Sequence, residues 1–278
     1  MLADLSVSIV TYAPDLPILA DTLQSLVEAL AMAQQAGEVG TCHIFLVDNG
    51  PGAHWAETLR HTVARFENRF DALNCRVITG QGNVGYGQGH NLALACTQAE
   101  FHLVLNPDVT MDPAALVNSI RFMRQHQDVG LLSPAAEDES GERQFLCKRY
   151  PTLCDLALRA LAPRWGRELF EGRLRRYEMR ERYAEEDGPF DVPIASGCFM
   201  FCRRTLLASV GGFSKRYFMY FEDFDLSLRL GQRTRLVYVP FVRIVHAGGG
   251  AARKGWRHVL MFARSGGVFF RTHGWKLF

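Results

Sequence analysis

Residues 42–51 read CHIFLVDNGP, an apolar run that ends in an aspartate and a turn. The run predicts a β-strand over Cys42–Val47, and Asp-Asn-Gly-Pro is a turn signature. In open α/β sheets, ligands bind beyond the carboxyl ends of the strands. Asp48 therefore lies where a ligand is expected.

Strands alternate with helices on both sides of this strand. A strand over Ser6–Tyr12 and a helix over Pro17–Gln35 precede it. The later predicted elements are the helix Trp55–Phe70, the strand Cys75–Thr79, the helix Gly89–Gln98, the strand His102–Leu105, the helix Pro113–His126, and the strands Val129–Ser133, Val192–Arg203, Arg235–Val239 and Val242–His246. This order predicts an α/β fold with a mainly parallel central sheet, doubly wound in its first half. We expect one domain over 1–278, made of two halves over 1–133 and 134–278.

Composition narrows the class of protein. Of 278 residues, 48% are hydrophobic and 22% are charged, and the net charge of +2 indicates no nucleic-acid partner. The acidic N-terminus does not resemble a signal peptide, and we expect no membrane span. The seven cysteines form no CxxC pair, so we expect reduced thiols and a cytoplasmic protein, with Cys198 and Cys202 in the core.

A glycine-rich loop follows the third strand. Residues 80–85, GQGNVG, match the GxGxxG pattern of dinucleotide-binding enzymes, with Asp108 at a suitable distance. That pattern normally follows the first strand, so its late position argues against an NAD-dependent dehydrogenase. This enzyme class remains an alternative.

Two acidic clusters suggest chemistry. Asp108 leaves a strand in Asn106-Pro107-Asp108, and could bind a hard divalent cation or cap the next helix. Glu222, Asp223 and Asp225 lie among aromatic residues, where burial and mutual repulsion should raise a pKa and suit a general base. We expect Asp225 to form a structural i,i+4 pair with Arg229, and Asp223 to be reactive.

Two basic regions accompany these clusters. His246 ends a strand and is followed by three glycines and by Arg253 and Lys254, a loop suited to close over a diphosphate. The segment 159–182 carries eight arginines and four glutamates within a basic helical insert of about 150–185. Its charge pattern fits a surface facing a membrane or acceptor and a solvated helical face equally well.

Seven motifs together resemble family 2 of the inverting glycosyltransferases, which have the GT-A fold. Within that family they are most similar to bacterial rhamnosyltransferase-like members that build surface polysaccharide or cell wall. The motifs are SIVTY (8–12), VDNG (47–50), NVGYGQGHN (83–91), LNPDV (105–109), SGCFMFCRR (196–204), FMYFEDFDLSLRL (218–230) and HAGGG (246–250).

The resemblance implies that 1–133 is the nucleotide-sugar-binding half and that 134–278 is a C-terminal acceptor-side and catalytic region. It also implies a role for each candidate residue. Asp223 is the expected general base, with Glu222 as its acceptor-positioning partner, and Asp108 and His246 are the expected ligands of Mg²⁺ or Mn²⁺. The expected donor-binding residues are Thr11, Tyr12, Asp48, Asn49, Gly85, Asn91, Asn106, Arg253 and Lys254. Asn106 stands where the family has the first aspartate of its DxD motif.

The implied partners are a nucleoside-diphosphate sugar and a glycan acceptor. The resemblance favours thymidine-diphosphate rhamnose, with a uridine-diphosphate sugar as the alternative. The acceptor of such enzymes is commonly linked to a lipid diphosphate, so the implied location is the cytoplasm or the inner face of the membrane. A silent sugar- or nucleotide-binding module is the other rival, and the Glu222-Asp223 pair argues against it.

Overall fold

The computed structural model describes residues 2–52, 54–67, 73–161, 164–248 and 256–278. Strands and helices alternate through the first half of the chain, as the sequence predicts. Its elements are β1 (Ala3–Thr11), α1 (Leu16–Gln35), β2 (Val39–Asp48), α2 (His54–Glu67), β3 (Leu73–Ile78), α3 (Tyr86–Leu94), β4 (Phe101–Leu105), β5 (Val109–Met111), α4 (Ala115–Gln125) and β6 (Val129–Glu137).

Shorter elements dominate the second half. They are β7 (Arg143–Gln144), α5 (Leu153–Leu161), α6 (Arg164–Leu169), α7 (Glu171–Tyr177), α8 (Arg180–Glu185), β8 (Phe190–Asp191), β9 (Phe199–Arg203), α9 (Arg204–Ser209), α10 (Glu222–Gly231), β10 (Arg235–His246) and α11 (Trp256–His273). The four helices α5 to α8 form the predicted basic helical insert.

One sheet runs through both halves in the order β3-β2-β1-β4-β9-β6-β10-β5. Strands β3, β2, β1 and β4 are parallel, so their carboxyl ends lie along one edge. Strand β9 runs antiparallel to β4 and β6, and β5 runs antiparallel to β10. Because β2 and β4 both run parallel to β1, which lies between them, the turns that follow these two strands lie at the same edge of the sheet.

Several elements differ from the sequence predictions. Helix α3 begins at Tyr86 and not at Gly89, because Gly85 adopts φ 87° and the Tyr86 amide donates to Phe218 O. The predicted strand over Val192–Arg203 is confirmed only for β9, since Pro193 and Gly197 interrupt its first part. Strand β5 and helix α11 were not predicted.

Helix α1 is long and apolar enough to cross a membrane by length and composition, contrary to the sequence expectation. Half of this window is buried inside the protein. Leu19, Leu23, Leu26 and Leu30 belong to the main hydrophobic cluster, together with side chains of β1 and β2. The packing is that of a core helix.

All seven cysteines are free thiols, as expected. Cys198 and Cys202 are buried among the apolar side chains of the core. Burial raises the pKa of the Cys198 thiol to about 12, so it remains protonated at neutral pH. Core packing accounts for both residues.

Candidate active site

Asp108 and His246 lie about half of the chain apart in sequence but meet at the end of one strand pair. Antiparallel pairing of β5 with β10 sets His246 opposite Val109, and the Ala247 amide donates to Asp108 O. Nε2 of His246 lies 3.5 Å from Oδ1 of Asp108. The structure therefore brings the two predicted metal ligands together.

The side chain of Gln144 fixes the orientation of the His246 ring. Its Nε2 donates to the His246 carbonyl at 2.8 Å, and its Oε1 lies 2.9 Å from Nδ1 of the ring. A carbonyl oxygen can only accept, so the amide cannot be flipped and Nδ1 must carry the proton. In the neutral imidazole, the lone pair is then on Nε2, the nitrogen that faces Asp108.

These two side chains fit a hard divalent cation. Two ligand atoms at about 2.1 Å from one octahedral ion are about 3.0 Å apart, close to the observed separation of Nε2 and Oδ1. Groups of three or more potential His, Cys, Asp or Glu ligands are absent from the described residues. An ion held here would take its remaining ligands from water and substrate phosphates, as Mg²⁺ commonly does.

A second group of polar side chains surrounds the end of β2. Asp48 is buried, and its Oδ1 accepts from the Gly50 amide at 2.8 Å. Nδ2 of Asn49 donates to Gly85 O at 3.0 Å, and Nε2 of Gln81 donates to Asp48 O at 2.8 Å. Since both amides donate to carbonyls, both leave a carbonyl-type oxygen for another partner.

Those two amide oxygens are buried and have no hydrogen-bond partner within the described ranges. A buried acceptor without a donor is costly, so such atoms mark a site where a ligand supplies the donor. With the Asp48 carboxylate, Asn49 and Gln81 present acceptors to an incoming N–H or O–H group. Gln81 was not predicted, although its place in the glycine-rich loop was visible in the sequence.

Among the residues that the structure describes, the other predicted donor-binding residues do not present an unpaired buried acceptor as Asn49 does. Thr11 is buried at the end of β1, where its hydroxyl donates to Val47 O, and Tyr12 next to it is 57% exposed. The Asn91 amide is bonded at both atoms to the Phe213 backbone, so it supports the chain that precedes Phe218. Arg253 and Lys254 lie outside the described residues.

Asp223 lies in the first turn of α10 and accepts two backbone hydrogen bonds. The Gly197 amide donates to its Oδ2 at 3.0 Å, and the Phe224 amide donates to its Oδ1 at 2.9 Å. Adjacent Glu222 is buried, and its Oε2 has no hydrogen-bond partner in the described part of the chain. The two carboxyl groups therefore sit in different environments.

Burial raises the pKa of both carboxyl groups. It raises the pKa of Glu222 to about 8, with repulsion from Asp223 as the second cause. Burial also raises the pKa of Asp223, but the amides of Gly197 and Phe224 lower it. Backbone N–H groups stabilise a carboxylate, so the charge of this pair resides on Asp223 and the proton on Glu222.

Tyr86 joins this pair to the turn that carries Asp108. Its hydroxyl lies 2.6 Å from Gly197 O and 3.0 Å from Oδ1 of Asn106. The Asn106 amide donates to Cys198 O at 2.9 Å. Burial raises the pKa of Tyr86, so its hydroxyl remains a donor. Tyr86 and Gly197 are within quoted motifs, but only the fold reveals that they connect the two acidic clusters.

The segment before Glu222 has an unusual backbone. Tyr220 and Phe221 adopt φ 72° and 64°, the left-handed region that non-glycine residues rarely enter. Such strain is found where surrounding structure over-determines a functional site. Here the aromatic cluster around Phe221 and the contact of Phe218 O with Tyr86 hold the chain on both sides.

Asp225 points away from the candidate site, as predicted. Its Oδ2 accepts from Nε of Arg229 at 2.8 Å, which confirms the i,i+4 pair, and its Oδ1 lies 2.9 Å from Nε2 of His273. Arg229 also donates to Val210 O and Gly212 O. Asp225 is thus a structural residue that ties α10 to α11 and to the preceding loop.

Comparisons with known proteins indicate the family of the chain. The model of the family "Glycosyl transferase family 2" matches residues 6–211. An N-acetylglucosaminyl-diphospho-decaprenol L-rhamnosyltransferase of Mycobacterium tuberculosis is 31% identical over 186 residues, which are 62% of this chain and 59% of that protein. Rhamnosyltransferase WbbL of Escherichia coli is 26% identical over 174 residues, 59% of this chain and 61% of that protein. The chain thus matches about three fifths of each relative's length.

Solved structures show the same fold. The mannosyltransferase PcManGT of Pyrobaculum calidifontis, in complex with GDP-Man and Mn²⁺, has a TM-score of 0.63 and 17% identity, over 98% of this chain and 65% of that one. GalNAc-T7 with UDP, GalNAc and Mn²⁺ has a TM-score of 0.61 and 15% identity, over 88% and 43%. The fold is that of GT-A glycosyltransferases, and the chain belongs to glycosyltransferase family 2.

Proposed function

We propose that the chain transfers rhamnose, with inversion, from thymidine-diphosphate rhamnose to a lipid-diphosphate-linked glycan. One observation supports a transferase above the others. Asp108 lies beside His246, and Tyr86 and the 196–198 loop connect the Asp108 turn to Asp223. The rhamnosyl donor and the lipid-linked acceptor are supported by the names of two relatives, one of which acts on a diphospho-decaprenol. A uridine-diphosphate sugar remains the alternative donor.

The nucleoside would bind at the end of β2. Thymine and uracil each present one ring N–H between two carbonyls, and the acceptors of Asp48, Asn49 and Gln81 suit that N–H. Thr11 and Tyr12 lie at the end of the neighbouring strand and would contact the same nucleoside. None of these contacts distinguishes thymine from uracil, because the two bases differ only by a methyl group.

Asp108 and His246 would hold Mg²⁺ or Mn²⁺, and a cation bound there neutralises the charge that develops on the leaving diphosphate. Gln144 fixes the proton on Nδ1 of His246, so the neutral ring presents the Nε2 lone pair to that contact. Asn106 replaces a carboxylate, and its Oδ1 already lies 3.0 Å from the Tyr86 hydroxyl. We therefore assign Asn106 to positioning of the turn near the donor ribose and not to the metal.

Asp223 would remove the proton of the acceptor hydroxyl. Its carboxylate accepts two backbone hydrogen bonds and retains lone pairs for a third partner. As the hydroxyl oxygen attacks the anomeric carbon, Asp223 takes the proton and the diphosphate leaves from the opposite face, which inverts the configuration. Glu222, neutral at pH 7, would donate a hydrogen bond to the acceptor or to Asp223.

We retain one catalytic domain over 1–278 and a place in the cytoplasm or on the inner membrane face as parts of this proposal. One continuous sheet shared by both halves supports the single domain.

A thermal-shift panel tests the assignment. The protein is heated with the diphosphates of thymidine, uridine and guanosine and with NAD, each with and without Mn²⁺. Ligand at about 100 times its Kd adds roughly 2.7 kcal/mol to the free energy of unfolding. We expect a metal-dependent shift with a pyrimidine diphosphate, and a larger shift with the thymidine compound names the donor.

The same panel tests the dehydrogenase. The GQGNVG loop follows β3 at the edge of the sheet and folds over Asp48 through Gln81, whereas a dinucleotide site of this type follows a central first strand. A metal-independent shift with NAD alone would overturn the transferase.

A further inference from the structure

Helix α11 is anchored by one half and exposed along the other. In its C-terminal half, Phe269 and Phe270 are buried in a cluster with Tyr217 and Phe221. The N-terminal half carries three large apolar side chains in solvent, with Trp256, Val259 and Leu260 exposed by 70%, 61% and 57%.

These exposed side chains share one face of the helix. Positions i, i+3, i+4 and i+7 align on an α-helix, so Trp256, Val259, Leu260 and Ala263 form one apolar strip, here called the outer stripe. Solvent-facing apolar stripes of this kind mark surfaces that bind a protein or a membrane. What the outer stripe binds can be argued from the charges beside it.

Arginines follow one flank of the outer stripe. Arg257, Arg264 and Arg271 are seven residues apart, and seven residues make almost two full turns, so they lie in one row. None of them forms an ion pair with another described residue. Residues 256–278 contain these arginines and Lys276 but no aspartate or glutamate. An anionic partner would complement the charge of this surface.

The arginine-rich insert differs in this respect. Its cations are largely paired within the protein: Arg149 with Glu181, Arg159 and Arg180 with Glu178, Arg173 with Asp155, Arg175 with Glu171, and Arg182 with Glu186. Because each of these cations is paired with a carboxylate, the insert has little net positive charge to offer an anionic surface. Helix α11 therefore suits an anionic surface better than the insert does.

We propose that the outer stripe of α11 docks on an anionic phospholipid bilayer. The apolar side chains would enter the boundary between headgroups and acyl chains, where tryptophan is favoured, and the arginine row would contact lipid phosphates. The inference rests on the proposed function, because a lipid-linked acceptor presents its diphosphate at that same boundary.

The docked helix touches the segment that leads into Glu222 and Asp223. The Tyr220 hydroxyl lies 2.8 Å from Nδ1 of His258, and Ser265 Oγ donates to Met219 O at 2.7 Å. Docking would thus hold the base-bearing end of α10 near the membrane surface. An acceptor anchored in the bilayer would reach Asp223 without leaving its lipid.

Vesicle flotation tests the docking. The full chain is mixed with phosphatidylcholine vesicles with or without phosphatidylglycerol. We expect flotation only with the anionic lipid, and weaker flotation at high salt. The double variant Val259→Ser/Leu260→Ser should bind at least about tenfold more weakly, because it loses apolar side chains that would leave water. Each Arg257→Gln or Arg264→Gln change should cost about fivefold.

Leu169→Ser is the matched control, because Leu169 is 72% exposed but belongs to the arginine-rich insert. We expect this variant to float like the wild type. Loss of flotation in the control, or unchanged flotation of the double variant, would overturn the proposal. The proposal would also be overturned if the wild type did not bind anionic vesicles but sedimented as a dimer, and the double variant sedimented as a monomer.

A soluble acceptor separates this inference from the proposed function. N-acetylglucosaminyl diphosphate with a short alkyl chain needs no membrane, so the double variant should use it as the wild type does. With the lipid-linked acceptor in vesicles, its rate should fall at least about tenfold. If the wild type fails with both acceptors but still floats, the proposed function is wrong and the docking stands.

Discussion

The Gly197 amide donates to Oδ2 of Asp223 at 3.0 Å, and the carbonyl of the same glycine accepts from the Tyr86 hydroxyl at 2.6 Å. A single residue thus connects the proposed base to Tyr86, and through it to Asn106. A Cβ at Gly197 would contact the Tyr86 ring at 3.2 Å and Asp223 Cβ at 3.4 Å, so the three residues are tightly packed. Gly197 therefore supports both the proposed base, Asp223, and, through Tyr86, the turn that carries Asp108.

Asp223→Asn should abolish transfer and preserve donor binding. The amide cannot take the acceptor proton, and loss of a general base costs about 10²- to 10⁴-fold in rate. Steady-state transfer assays give the rate, and thermal shift with nucleoside diphosphate and Mn²⁺ gives the binding.

Asp225→Asn is the control for that variant. Asp225 contacts Arg229 and His273 and lies off the candidate site, so the change should lower the free energy of unfolding by about 1–3 kcal/mol and leave turnover per folded molecule nearly unchanged. Near-normal turnover by Asp223→Asn would show that another group is the base.

Glu222→Gln should flatten the pH dependence of stability. The folded pKa of Glu222 is about 8 against an ordinary value of 4.5. Between these values the folded chain keeps a proton that the unfolded chain has released, so the free energy of unfolding falls as pH rises from about 4.5 to about 8. Glutamine cannot ionise, and the variant should gain at least about 1 kcal/mol over wild type near pH 8.

Urea unfolding of both proteins at about pH 5 and about pH 8, without metal or donor, measures this difference. If the free energy of unfolding changed equally between these two pH values in wild type and in Glu222→Gln, Glu222 would be ionised in the folded protein.

Gln144→Leu should weaken Mn²⁺ binding about 10- to 100-fold, because the His246 ring loses the acceptor that fixes its tautomer. Gln144→Glu keeps an acceptor at Nδ1 but loses the donor to the His246 carbonyl, so its affinity should lie between that of Gln144→Leu and that of the wild type. Electron paramagnetic resonance of free Mn²⁺, titrated in the presence of the nucleoside diphosphate, reports the affinity without any turnover.

Gln127→Leu is the matched surface change, since that side chain bonds only to Arg124 O in the described contacts. If Gln144→Leu and Gln127→Leu bound Mn²⁺ with equal affinity, Gln144 would have no role in positioning His246 for the cation.

Gly85→Ala should destabilise the protein more than Gly82→Ala. Both glycines have positive φ, which costs alanine about 1–2 kcal/mol. A Cβ at Gly85 would also lie 2.3 Å from Phe218 O, whereas nothing lies within 4 Å of one at Gly82. The extra clash should add about 1–3 kcal/mol in urea unfolding. Equal losses would mean that the close approach of α3 to Phe218 is absent.

The sequence was sufficient for the sheet of the first half, because β1, β2 and β4 are mostly apolar, β-rich runs bounded by turn residues. It was insufficient for β5, whose three residues give no periodicity, and for α11, whose glycines and mixed face hide a helix. The start of α3 was misplaced because Gly85, Gly87 and Gly89 suggest a loop, while contacts with Phe213 and Phe218 stabilise a helix there.

The candidate site was predictable where chemistry follows a strand end, as at Asp48, Asp108 and His246. The supporting residues were not, since an ordinary glutamine such as Gln144 acquires its role only through long-range pairing of β6, β7 and β10. The same is true of Tyr86, which reads in the sequence as one more aromatic residue.

Ribosomal synthesis delivers β5 long before β10, so Asp108 leaves the exit tunnel while His246 is still unmade. Strands β1 to β4 and the polar side chains around Asp48 depend mostly on contacts within the first half, and such a segment can begin to fold on its own. The pairing of β5 with β10 closes a loop of about half the chain and comes late for the same reason. A nascent chain that has not yet completed β10 therefore has the residues proposed to bind the nucleoside but lacks His246, so the proposed cation site forms only once β10 pairs with β5.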